Sequence, residues 1–164
     1  QDVAKDVKIQ VAFDSHVVKR YRLVGYENRA IADEDFRKDE VDAGEIGAGH
    51  QVTALYELVL DPHAGEGRLG RIFVRAKRPG EDVAKETSMT ITTEMVRRRF
   101  EQAPADLGFA TAVVGAAELL RKGPRADAWS YAQVLSIAHA AKPERDPDKR
   151  EFIDLMKRAQ ALAH

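Results

Sequence analysis

Cysteine is absent from the 164-residue sequence. Disulfides, thiolate nucleophiles, iron–sulfur clusters and cysteine-ligated zinc are excluded with it. A surplus of either charge is lacking too, with 26 Lys and Arg against 27 Asp and Glu, a formal net charge of −1. No overall field draws such a chain to nucleic acid or anionic lipid, so that binding would need a local patch. No apolar run approaches the ~20 residues that span a bilayer, and no signal peptide opens the sequence. The chain begins at Gln1, not Met, and this leads us to expect a fragment of a longer protein.

Catalytic signatures are missing as well. The five histidines, His16, His50, His63, His139 and His164, form no H-E-x-x-H pair, and there is no G-x-S-x-G elbow. Gly65-Glu-Gly-Arg-Leu-Gly70 fits G-x-G-x-x-G, but a dinucleotide site needs those glycines to open a helix. Arg71 to Lys77 reads as a strand instead, which puts the glycines in a hairpin loop. The cluster Arg97-Arg98-Arg99 lacks the interleaved aromatics of a nucleic-acid platform. These absences point to a protein that is not an enzyme and does not bind nucleic acid.

What is present suffices for a core. Hydrophobic residues make up 44% of the chain, and a chain of this length buries roughly 70% of its unfolded surface without metals or cross-links. Val7, Ile9, Val11 and Phe13 alternate with polar or small neighbours, the period of a half-buried strand. Further strands are expected over Val17–Tyr26, Val52–Leu60, Leu69–Lys77 and Thr87–Thr93, separated by Gly, Pro and Asp loops.

The last third changes period. Residues 105–122 are apolar almost all round, with small Gly108, Ala112, Gly115 and Ala116 allowing close packing, and Gly123-Pro124 stops the helix. A second helix opens on Ser130 with Gln133 three residues on, a capping box. A third opens on Asp146-Pro147, a cap followed by proline at the first helical position, with a stripe of Phe152, Leu155, Met156, Ala159 and Leu162. Strands first and helices afterwards predict an α+β fold: an antiparallel, β-sandwich-like sheet of about five strands followed by three C-terminal helices. We read residues 1–164 as one domain, 1–100 mainly β and 101–164 mainly α.

The connection 28–50 is long for a compact domain and strongly acidic. Asp33, Glu34, Asp35, Asp39, Glu40, Asp42 and Glu45 gather around only Arg37 and Lys38. A hard cation such as Ca²⁺ takes six to eight oxygens, so Asp33, Asp35, Asp42, Glu45 and His50 are the candidate metal ligands. The EF-hand template nevertheless fails, because its glycine position falls on Lys38 and its last glutamate on Gly44. The opposing reading is a solvated acidic loop whose charges discourage edge pairing. Glu45 with His50 is the only acid–base pair the segment offers a catalytic reading.

Tyr21-Arg-Leu-Val-Gly-Tyr-Glu-Asn-Arg29, Asp35-Phe36, Asp42-Ala-Gly-Glu-Ile-Gly-Ala-Gly-His50 and Val52-Thr-Ala-Leu-Tyr-Glu57 together resemble the C-terminal region that follows the von Willebrand factor type A domain in a family of bacterial cell-envelope proteins. Asp106-Leu-Gly-Phe-Ala-Thr-Ala-Val, Trp129-Ser-Tyr-Ala-Gln-Val-Leu and Arg150-Glu-Phe-Ile-Asp-Leu extend the resemblance over most of the chain. It implies an upstream A domain as intramolecular partner, an unidentified protein ligand, and a place in the cell envelope, the periplasm or outside the cell. The A domain's D-x-S-x-S metal motif does not occur here, the nearest fragment being Asp14-Ser15-His16. The expected role is therefore a non-catalytic structural or protein-interaction module with no cofactor of its own. A divalent-cation module built on residues 33–50 is the alternative.

Overall fold

The computed structural model describes residues 2–24, 35–41 and 43–163. Two compact units divide between Val96 and Arg97, close to the 100/101 boundary where the sequence period changes. Among the described residues the first unit is mainly β and the second helical, so the arrangement is α+β.

The first unit holds six strands in two antiparallel sheets. They are β1 (Asp2–Phe13), β2 (Val18–Val24), β3 (Gly44–Gly47), β4 (Leu55–Leu60), β5 (Arg68–Lys77) and β6 (Lys85–Thr92). The larger sheet runs β3-β1-β5-β6, and β2 pairs with β4 as a separate ribbon. The sequence pattern misses β3, since half of Gly44-Glu-Ile-Gly47 is glycine, a poor strand former.

The period-2 pattern of β1 is interrupted at Asp6. Lys5 pairs with Lys77 and Lys8 with Arg75, so β1 carries one more residue than β5 across that step. Asp6 takes up the excess in the left-handed region, at φ 49°, which Asp tolerates better than most residues. Its carboxylate accepts from Ala43 N–H at 3.4 Å and pairs with Lys77 at 2.7 Å.

Beyond that bulge the sheet has two unlike faces. Directly opposed residues of an antiparallel pair share a face. Ile9, Val11 and Phe13 therefore lie with Val74, Ile72, Met89 and Ile91. Lys8, Gln10 and Ala12 lie on the other face with Arg75, Phe73 and Arg71. At one end of the apolar face Phe13 meets the β2–β4 ribbon, its ring 4.7 Å from that of Tyr21 and 5.5 Å from that of Tyr56. Elsewhere on this face, among the described residues, Ile9 is 42% and Met89 55% exposed, and Val11, Ile72, Val74 and Ile91 are half-buried.

The second unit consists of α1 (Ala105–Leu120), α2 (Tyr131–Ala140) and α3 (Pro147–Leu162). Its core joins Ala112 and Ala116 of α1, Val134 and Ala138 of α2, and Ile153 and Met156 of α3. The Phe109 and Phe152 rings meet edge-on beside it at 5.2 Å. Both expected caps form. Ser130 Oγ accepts from Gln133 N–H at 3.2 Å, and Asp146 accepts from Asp148 and Lys149 N–H at 3.1 and 3.2 Å.

Two expectations about helix faces need correction. The apolar girdle of α1 is buried on one side only, and Leu107, Val113 and Leu120 face solvent. In α3 the buried pair is Ile153 and Met156, one turn apart, whereas Leu155 and Leu162 point outward. Among the described residues no helix is long and apolar enough to cross a membrane.

Candidate functional site

The polar face of the larger sheet is where chemistry-bearing side chains converge. Every second residue of β5 projects there, which ranks Arg71, Phe73, Arg75 and Lys77 along one row. Glu86 and Ser88 of β6 stand opposite Arg75 and Phe73.

Residues 35–41, taken from the acidic connection, lie across part of this row. Phe36 is 3% exposed, with its ring 6.5 Å from that of Phe73 and steeply inclined to it. Three residues on, the Asp39 carboxylate receives Arg75 at 2.8 Å. The backbone of the segment is held as well, because Lys8 Nζ donates to Lys38 O and Lys77 Nζ to Asp39 O at 3.0 Å. Arg37 sits 5.8 Å from the centroids of Phe36 and Phe73 and pairs with Glu86 at 3.1 Å. Lys8, otherwise an expensive residue to bury, is 3% exposed beneath this cover, and its ammonium is satisfied by the Lys38 carbonyl.

Over residues 35–41 this geometry corrects the picture of a freely solvated acidic loop. Arg75 beside Asp39 holds that carboxyl below the usual carboxylate range, with Lys77 and Lys8 acting in the same direction. The Asp6 carboxylate raises Lys77 above its ordinary value. The segment is clamped to the sheet through its aromatic and its acid.

The proposed cation ligands are dispersed where they can be followed. Asp33 and Asp42 lie outside the described residues. Asp35 is paired with Lys38 at 2.7 Å. Glu45 is exposed on β3, and His50 is exposed just beyond it. The His50 ring folds back on Gly47, where an added Cβ would stand 2.7 Å from Nδ1, and the His50 backbone N–H donates to Gly47 O at 3.1 Å. Among the described residues no group of three His, Cys, Asp or Glu is arranged to hold a metal ion.

A groove of about 410 Å³ lies on the polar face beyond residues 35–41, lined by Ala12 to His16, Arg68, Arg71 and Phe73. Asp14 is engaged within it, accepting from His16 N–H at 3.1 Å and pairing with Arg68 at 3.3 Å. The His16 N–H, ahead of Arg68, keeps the Asp14 carboxyl below its usual range. The G-x-G-x-x-G stretch borders this groove. Gly65 and Gly67 occupy the loop before β5, and Gly70 lies within the strand, where a Cβ would stand 2.5 Å from Ala12 O. No helix follows the glycines, so the stretch serves strand packing.

Sequence reasoning missed two charged residues that the fold buries. Lys8 was hidden inside a strand alternation, and Glu118 inside an apolar helix. Glu118, 3% exposed, receives the Arg121 guanidinium, and its carboxylate accepts from Arg125 N–H at 3.4 Å. Gly123 packs against it so closely that a Cβ there would lie 3.0 Å from Cδ.

Comparison with known proteins adds the following. A protein-family model described as "Uncharacterized protein YfbK, C-terminal" matches residues 1–68 and 62–162. The two matches overlap at the loop leading from β4 into β5. The chain is 33% identical over 180 residues to "Uncharacterized protein YfbK" of Escherichia coli (strain K12), covering 98% of this chain and 30% of that protein. It thus spans under a third of the curated relative's length. No solved structure matches.

Proposed function

The chain belongs to the family of the YfbK C-terminal region, and we propose that it is a non-catalytic module that docks against the rest of its own parent chain. That parent we take to carry a von Willebrand factor type A domain and to work in the bacterial cell envelope. The observation that carries the reading is the apolar face of the larger sheet. Ile9, Val11, Ile72, Val74 and Met89 line up across three strands, with Ile9 42% and Met89 55% exposed. A contiguous apolar area of this kind is characteristic of an interaction surface. The curated relative is 30% covered by this chain, so most of that protein is available to cover such a face.

Calorimetric titration of the 164-residue chain with the separately produced remainder of its parent tests the reading. Binding is expected, and Met89→Asp, on an exposed edge-strand position, is expected to weaken it at least tenfold. Equal binding by that variant, or hydrolase activity abolished by one substitution, would sink it.

A further inference from the structure

We propose that the groove beside Arg68 and Arg71 is a binding site for an acidic peptide segment of a partner protein, one that sets a carboxylate next to an apolar side chain. The polar sheet face already shows how it takes such a segment. On its covered half an aromatic, Phe36, rests edge-on against Phe73, and an acid three residues later, Asp39, reaches Arg75. The row continues beyond that cover. Arg71 projects on the same side as Arg75, one repeat of the pleat pattern past Phe73, and stands opposite Ala12, whose small side chain leaves the space above it open.

The groove repeats the covered half's ingredients. Phe73 supplies aromatic wall, and Arg68 and Arg71 supply the cations. Asp14 spends its carboxylate on Arg68 and the His16 N–H. The Arg71 guanidinium and the Ser15 hydroxyl have no partner among the described residues. A guanidinium fork matches a carboxylate in two parallel hydrogen bonds, and its exposed position keeps it available. The volume, about 410 Å³, accommodates two or three side chains rather than a folded surface. Charge complementarity and the in-chain example therefore favour an acidic stretch of polypeptide. This site lies on the opposite sheet face from the apolar docking surface, so either can fail without the other.

The test is a ¹H–¹⁵N titration of the full 164-residue chain with acetyl-Phe-Asp-Glu-amide, its neutral counterpart acetyl-Phe-Asn-Gln-amide, and inorganic phosphate. The acidic peptide is expected to move the amides of residues 13–16 and 68–73, and the neutral one to leave them in place. Arg71→Gln, an exposed change that should leave the melting temperature unaltered, is expected to weaken the response about tenfold. No movement at those amides, equal movement with the neutral peptide, or an undiminished response in Arg71→Gln would each overturn the proposal. Saturation by inorganic phosphate at lower concentration than the peptide would overturn it as well and mark a phosphate site.

Discussion

Gly115 of α1 lies directly against the indole of Trp129: a Cβ at that position would stand 2.7 Å from Cδ2 and closer still to Cε3 and Cζ3. Glycine is required there for close approach, and the ring is large and rigidly placed. Gly115→Ala must displace the indole and should cost roughly 1–3 kcal/mol. Gly108, in the same helix, has no heavy atom within 4 Å of such a Cβ. Gly108→Ala should therefore stabilise by about 0.5–1 kcal/mol through helix propensity alone. Urea unfolding of the two variants should move their midpoints in opposite directions, and movement in the same direction would refute the packing account.

The clamp over the sheet depends on Phe36. Phe36→Ala removes the one fully buried side chain among residues 35–41, at a cost near 3 kcal/mol. If opening is local, the open population rises more than ~100-fold. Trypsin should then cut at Arg37 and Lys38 correspondingly faster, since cleavage follows the open population when closing is fast. An unchanged cleavage rate would mean that the ion pairs alone hold the segment.

Stability should fall at both extremes of pH, for opposite reasons. Asp14 and Asp61 are lowered chiefly by the N–H groups of His16 and His63, and Asp39 and Asp106 by Arg75 and Lys149. Their contribution is present above the unfolded carboxylate value, about 3.9, and is lost as pH falls through the lower folded values. Lys77 is raised above 10.5 by Asp6. Its contribution is present below that value and disappears as pH rises through the higher folded one. Melting temperatures from about pH 2 to 11 should show both losses, and Asp39→Asn should flatten the acid limb. A limb as steep as in the unmodified chain would remove Asp39 from the account.

The cation alternative makes a separate forecast. Ca²⁺ at ~100 times its dissociation constant would stabilise by about 2.7 kcal/mol, a melting shift of roughly 5–10 °C for a chain of this size. With Asp35 on Lys38 and Asp39 on Arg75, we expect CaCl₂ to raise the EDTA-treated chain by less than about 1 °C. A larger rise, lost in Glu45→Gln or His50→Ala, would establish a metal module.

Local rules made much of the fold legible. Ser130 with Gln133 and Asp146 with Pro147 announce helix starts because their chemistry acts within one turn. Alternation announces strands for the same reason. The strand β3 escaped because its glycines carry no pattern, and the start of β1 escaped because Asp6 breaks the period. The site was hardest to see. Arg71 and His16 are 55 positions apart (71 − 16), and nothing local says that a turn and a distant strand will face each other across Ala12. The partners of the acidic segment were hidden likewise: Arg75 and Lys77 look like ordinary exposed strand charges until Phe36 is laid over Phe73.

The left-handed turn at Asp6 has a consequence for how this stretch can change over time. Lys5 faces Lys77 and Lys8 faces Arg75, so Asp6 is the residue that β1 carries in excess of β5. A single-codon deletion there would even the count, and Ile9, Val11 and Phe13 would keep their partners on β5. One codon lost or gained between Lys8 and Phe13 would instead exchange inside for outside over the rest of the strand. The gene should therefore tolerate a change of length at the turn far better than a few codons further on.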